Sequence, residues 1–190
     1  MDGTLVDSRS VIETVWRRWA RRHTIDWDAL HHALHGVQIA DTVRRFAPPG
    51  VDVDFEVNAL AEVELTEIDG IVPVPGSDVL LSKLSTVRWG VVTSAVREMA
   101  RIRIDVAGLP IPDVLVAAED VTRGKPHPEG YRMAADALGV AADEIVVFED
   151  SDAGMEVGRA AGCRTSALRP RDIYHSPMPT IGSRISTAWT

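Results

Sequence analysis

Residues 1–8 read Met1-Asp2-Gly3-Thr4-Leu5-Val6-Asp7-Ser8, and the placement of their early carboxylate decides how the rest of the chain is understood. Asp2-Gly3-Thr4 is a polar cluster built around a glycine, the residue that lets a backbone turn away sharply. Such a cluster belongs at the carboxyl end of a strand, and the apolar strand expected ahead of it falls before Met1. That placement predicts a parallel sheet whose first strand precedes residue 1 and whose later strands lie downstream.

Outward from this stretch, residues 9–71 carry helical signals and no convincing strand. Val11, Ile12, Val15, Trp16 and Trp19 recur at helical spacing with Arg17, Arg18, Arg21 and Arg22 largely opposite, an amphipathic helix with a solvated basic side. Asp26 is placed to cap a second helix running through Leu34 and ended by Gly36. A third covers residues 39–46 and stops at Pro48-Pro49-Gly50; a fourth runs over residues 54–68 to Gly70. Val72-Pro73-Val74-Pro75-Gly76 is a stiff junction, after which the period changes. Helices over residues 77–84, 96–105, 129–138 and 153–161 alternate with apolar strands at 89–92, 114–116 and 145–148. Strands alternating with helices imply βαβ units and a parallel sheet covered on both faces. The expected fold is α/β, a three-layer parallel-sheet core of residues 1–8 and 75–168 with an inserted all-helical module at 9–74 and an irregular tail at 169–190.

The bulk properties narrow the function. Hydrophobic residues make up 45% and charged residues 25% of the 190, and mean hydropathy is near zero, as in an ordinary globular protein. A net charge of −8 argues against nucleic-acid or anionic-membrane partners, which need a basic stripe to displace counterions. An anionic ligand must then be held by a local site. Cys163 is the single cysteine, so no internal disulfide is expected. With no signal-peptide run and no apolar stretch of membrane-spanning length, a cytoplasmic monomer is expected.

Ligands of open parallel sheets bind beyond the carboxyl ends of the strands. Four polar clusters sit at those ends: Asp2-Gly3-Thr4, Thr93-Ser94, Gly124-Lys125-Pro126 and Glu149-Asp150-Ser151. Their chemistry fits phosphoryl transfer. Asp150, with Glu149 assisting, supplies carboxylate oxygens of the kind Mg²⁺ takes alongside water and phosphate. Lys125 gives fixed positive charge and Thr93 a hydroxyl for the phosphate oxygens. Asp2 is the acid/base candidate that protonates the leaving alkoxide and then activates water. Each cluster alone has a plainer reading. Thr93-Ser94 fits a helix N-cap, Glu149-Asp150 an acidic helix start, and Lys125 a solvated turn. Lys83 and Lys125 are the only lysines among 20 Lys and Arg residues, which favours a specific use for Lys125. His23, His31, His32 and His127 read as solvated or structural, and the Trp16 and Trp19 stripe as core.

MDGTLVDS, VVTSAVREMA, GKPHPEGY and VVFEDSDAGMEVGRAAGC resemble, in order and spacing, the four motifs of the haloacid dehalogenase (HAD) superfamily. The helical insertion after the first motif resembles the cap of the β-phosphoglucomutase-like branch. HGVQIADTVRRFAP and VPVPGSDVLL look most like glycerol-phosphate and sugar- or hexitol-phosphate phosphatases. The resemblance implies a Rossmann-like core and a Mg²⁺-dependent phosphatase of a small phosphate ester working through an aspartyl-phosphate. It implies Asp2 as acid/base, Thr93 as phosphate-binding hydroxyl, Lys125 as charge stabiliser and Asp150 with Glu149 as Mg²⁺ ligands. Ser94, Arg97, His35 and Gln38 are candidate substrate contacts. Where relatives often show Arg after the cap's His-Gly, this chain has Val37-Gln38. The family nucleophile stands two residues before Asp2, ahead of Met1. The expectation is therefore an N-terminally truncated chain, nearly inactive as residues 1–190. A sugar phosphomutase and a non-catalytic binding remnant are the alternatives.

Overall fold

The computed structural model describes residues 1–34, 36–84 and 86–168. The expected tail at 169–190 and the candidate contact His35 lie outside the described residues. The four-helix module forms as its hydrophobic periodicity requires: α1 (Arg9–His23), α2 (Trp27–Ala33), α3 (Ile39–Phe46) and α4 (Val53–Thr66). Val15, Trp16, Trp19, Leu30, Leu34, Val43 and Leu60 bury a core of its own, while Arg17, Arg18, Arg21 and Arg22 stay at the surface. Asp26 caps α2 by accepting the Ala29 amide at 2.8 Å. The fourth helix starts earlier than expected because Asp52 caps it, accepting the Phe55 amide at 3.1 Å.

Two features of α4 run against its sequence reading. Glu56 and Glu64 are buried on one face with Leu60, at 6% and 4% exposure. The reason lies on α1, where Trp16 Nε1 donates to Glu64 at 2.9 Å and Trp19 Nε1 to Glu56 at 2.8 Å. Buried indoles need an acceptor, and the two glutamates supply it.

The core follows as α5 (Ser77–Lys83), β3 (Gly90–Val92), α6 (Arg97–Val106), β4 (Val114–Val116), α7 (Glu129–Leu138), β5 (Val146–Glu149), α8 (Asp152–Ala160) and β6 (Arg164–Ala167). Before it come β1 (Val6–Asp7) and β2 (Val72–Pro73), a short antiparallel pair that closes the base of the helical insertion. Strand β2 was read as a bare junction and β6 was not expected. Both owe their extension to partners remote in sequence or to an adjacent strand, and polar Arg164-Thr165-Ser166-Ala167 carries no apolar run.

The sheet is present as two parallel pairs, β3 with β4 and β5 with β6. Met1 and Leu5 pack beside Val91, Ala100 and Leu115. Tyr131, Val147, Val157, Ala161 and Cys163 form a second core cluster that Val92 joins from β3. Helices flank the strands, giving the α/β layers expected. Among the described residues no helix is long and apolar enough to cross a membrane.

Candidate active site

The carboxyl ends of β3 and β5, the loop that carries Lys125 and the segment after Met1 face the helical cap across a cleft of about 400 Å³. Its walls bring together Asp2, Thr93, Ser94, Lys125, Glu149 and Asp150 from four separate stretches of chain, with Ile12, Trp16, Leu34, Val37 and Thr42 on the cap side. Gly3 has φ of 72°, where a side chain is strained, and a Cβ there would collide with the Asp150 carboxylate. The glycine therefore does what its position in the sequence suggests, and it also packs the first cluster against the fourth.

Asp2 is held at one oxygen. Its Oδ1 accepts the Ser8 hydroxyl at 2.5 Å and Arg103 Nη1 at 3.1 Å. Ser8, fully buried, and Arg103, 2% exposed, were not singled out from the sequence. Arg103 sits in the basic-looking run Arg97 to Arg103, where nothing local distinguishes a buried guanidinium from a surface one.

Lys125 reaches the site from the loop before α7 and pairs with Glu149. The Tyr131 hydroxyl donates to the same Glu149 oxygen at 2.5 Å, and the Lys125 ammonium lies 5.4 Å from the Tyr131 ring centroid. Burial pushes the Glu149 carboxyl up, but the neighbouring ammonium and phenol reverse this and leave its pKa below the ordinary value. Burial and the Glu149 charge raise the Tyr131 pKa, keeping its proton in place to donate. Glu149, expected to assist a metal, is thus engaged in holding Lys125. Ser151 caps α8 through the Gly154 amide at 3.1 Å, and a Cβ at Gly154 would strike the Glu149 carboxylate.

Asp150 is exposed at the rim of the cleft and takes one hydrogen bond among the described residues, from the Thr4 hydroxyl to its Oδ1 at 3.2 Å. A hard carboxylate left open to solvent at the rim of a cleft fits Mg²⁺, which keeps several waters and needs few protein ligands. Among the described residues no preformed cage of three or more His, Cys, Asp or Glu residues exists.

Thr93 is 8% exposed, and its Oγ1 accepts the Ala95 amide at 3.2 Å in a local turn; the plainer reading of Thr93-Ser94 as a helix N-cap does not hold, because α6 begins at Arg97 with Val96 at its N-cap and no side-chain cap bond. The hydroxyl proton remains available to a ligand in the cleft. Ser94 donates instead across to the cap, to the Gly36 carbonyl at 2.9 Å. Gln38 packs over Gly124 and reaches toward the Ala118 carbonyl at 3.5 Å, beside Thr93 and Lys125. The structure does not bring Arg97 to the cleft. Its guanidinium is engaged with Asp120 and with the Leu115 carbonyl at 2.9 Å, and its amide donates to Glu119 at 2.8 Å, so it braces the start of α6.

Residues 1–162 match the family model of the haloacid dehalogenase-like hydrolases. The chain is 42% identical to hexitol phosphatase A of Escherichia coli over 172 residues, covering 88% of this chain and 80% of that protein. It is 35% identical to glycerol-1-phosphate phosphohydrolase 1 of Saccharomyces cerevisiae, covering 86% and 70%. Among solved structures, CbbY from Rhodobacter sphaeroides in complex with phosphate superposes with a TM-score of 0.79 at 22% identity, covering 93% of this chain and 87% of that one. That likeness is one of fold.

Proposed function

The chain belongs to the haloacid dehalogenase-like hydrolases and is by descent a phosphoric monoester hydrolase, and from that premise we propose that it hydrolyses a small phosphorylated sugar or polyol through an aspartyl-phosphate, with Mg²⁺ at Asp150. One observation carries the proposal: Asp2, Thr93, Lys125 and Asp150, far apart in sequence, share one cleft beneath a helical cap. The relatives named for hexitol and glycerol phosphates support a polyol ester.

In this reading the Lys125 ammonium and the Thr93 hydroxyl bind the transferred oxygens. Mg²⁺ would neutralise charge developing on the phosphoryl group. Glu149 and Tyr131 fix Lys125, so the positive charge stands in place before the ester arrives. Asp2 gives its proton to the leaving alkoxide and takes one from the water that follows. In the family the attacking carboxylate is an Asp two positions before Asp2, and the extended form described below supplies it. Cap residues Ile12, Trp16, Leu34 and Val37 give the cleft an apolar wall that excludes water, and Thr42 offers a hydroxyl to a polyol.

The test is a phosphate-ester panel with Mg²⁺, run on residues 1–190 and on a form extended upstream by an apolar strand ending in Asp two positions before Asp2. Turnover of polyol and sugar phosphates in the extended form, abolished by Asp2→Asn and by Asp150→Asn, is expected. A folded extended form with no turnover on any ester would refute the proposal.

A further inference from the structure

We infer that Arg103, braced from the cap by Glu64, is a positioning residue that fixes the Asp2 carboxylate and ties its orientation to the docking of the cap. The inference rests on reading Asp2 as the proton-transfer group. Arg103 lies on α6, the helix that follows the Thr93 strand end. Its Nη1 donates to Asp2 Oδ1 at 3.1 Å and its Nη2 to Glu64 Oε2 at 2.7 Å. The other Glu64 oxygen accepts Trp16 Nε1 at 2.9 Å. A continuous line of charged and polar contacts thus runs from α1 and α4 of the cap, through one core guanidinium, to the carboxylate at the floor of the cleft. Trp16, Glu64, Arg103 and Asp2 all line that cleft.

Three features separate this arrangement from ordinary packing glue. Desolvating a buried ion pair costs about as much as its Coulomb attraction returns, and well-packed apolar residues in its place are often at least as stable, so stability alone gives no reason for charge at this junction. Arg103 Nε is buried without a hydrogen-bond partner, so the guanidinium is placed by its two carboxylates and not by a fully satisfied pocket. Both holds on Asp2, from Ser8 and from Arg103, fall on Oδ1. Oδ2 makes no hydrogen bond among the described residues, which leaves it as the oxygen that exchanges the proton. A planar guanidinium spans two carboxylates with a defined angle between them, which an ammonium does not. Cap movement that displaces Glu64 therefore turns Arg103, and with it Asp2.

The deciding measurement is the side-chain carboxyl ¹³C resonance of Asp2 in residues 1–190, assigned by its loss in Asp2→Asn. Glu64→Gln keeps the shape and the Trp16 contact and does not touch Asp2, yet it should move or broaden that resonance, as should Arg103→Lys. An Asp2 resonance unmoved in both folded variants overturns the inference. In the extended form, Arg103→Lys is expected to lower kcat about 10- to 100-fold with KM changed less than about twofold, and Glu64→Gln to act in the same direction. A lowered melting temperature with unchanged kcat would mean a structural role alone and also overturns it. If Arg103→Lys does not fold, Glu64→Gln carries the test. An extended parent without turnover counts against the phosphatase reading, and the resonance still decides the positioning.

Discussion

Glu149 sets the charge at one side of the cleft, because the position of Lys125 depends on it. Its pKa is depressed: burial raises it, and Lys125 and Tyr131 more than offset the rise. The folded chain therefore binds fewer protons at this group than the unfolded chain does. The stabilisation is complete above the unfolded carboxyl value of about 4.3 and is lost as pH falls through the lower folded value. Denaturation midpoints measured from pH 6 down to pH 3 should accordingly fall less steeply for Glu149→Gln than for the parent. At Asp2 the expected effect is on rate. With Asp2 as the proposed acid/base, Asp2→Asn should lower kcat by about 10²- to 10⁴-fold in the extended form, and, because it removes one of the two carboxylates paired with buried Arg103, the melting temperature should fall as well. Asp2, Thr93, Lys125 and Asp150 could be singled out in the sequence because each stands in a short polar cluster bordering the alternation of apolar strands and helices, and the structure brings the four to one cleft. Arg103, Ser8 and Tyr131 were not, since a residue that braces another is defined by its neighbour in space.

Among the elements, α1 and α4 define the cap. Trp19 is 2% exposed and packs edge-on against Trp16, with ring centroids 5.4 Å apart. Trp19→Ala should destabilise the chain by about 3–5 kcal/mol, read by urea unfolding, from lost packing and from the loss of one of the donors to buried Glu56. Arg22 and His23 also contact Glu56, at 2.5 and 3.1 Å, so part of that carboxylate's pairing survives. Asp52→Ala removes the α4 cap and should cost about 1 kcal/mol in the same measurement. Helix α1 was readable to its faces because its apolar residues recur at a clean helical period. Helix α4 was readable as a helix but not in its burial, since Glu56 and Glu64 enter the core only where the indole N–H groups of α1 meet them.

For the whole molecule, the decisive relation is the seating of cap on core. The contacts of Ser94 to the Gly36 carbonyl, Gln38 over Gly124 and Arg103 to Glu64 cross between the two, and Val11 and Ile71 of the insertion pack against Leu81, Ile104 and Leu109 of the core. A Cβ at Gly124 would lie 2.9 Å from Gln38 Nε2, so Gly124→Ala pushes that side chain away. Combined with Ser94→Ala in the extended form it should raise KM several-fold for a polyol phosphate while the melting temperature changes little, because the Ser94 and Gln38 contacts are exposed or half-buried hydrogen bonds worth about 1 kcal/mol each. Steady-state kinetics with thermal unfolding on the same samples separates the two quantities. By itself the sequence determined the α/β class and the run of four helices ahead of the alternating strands, and it singled out the polar clusters as site candidates, because hydrophobic period and polar clusters are local signals. Only the tertiary structure decided that Arg97 braces α6 while Arg103 reaches Asp2, that Glu149 holds Lys125, and that Ser94 fastens the cap. Those assignments depend on which partner lies across the cleft, and the energy that selects among chemically equivalent arginines and glutamates comes from burial and pairing between segments remote along the chain.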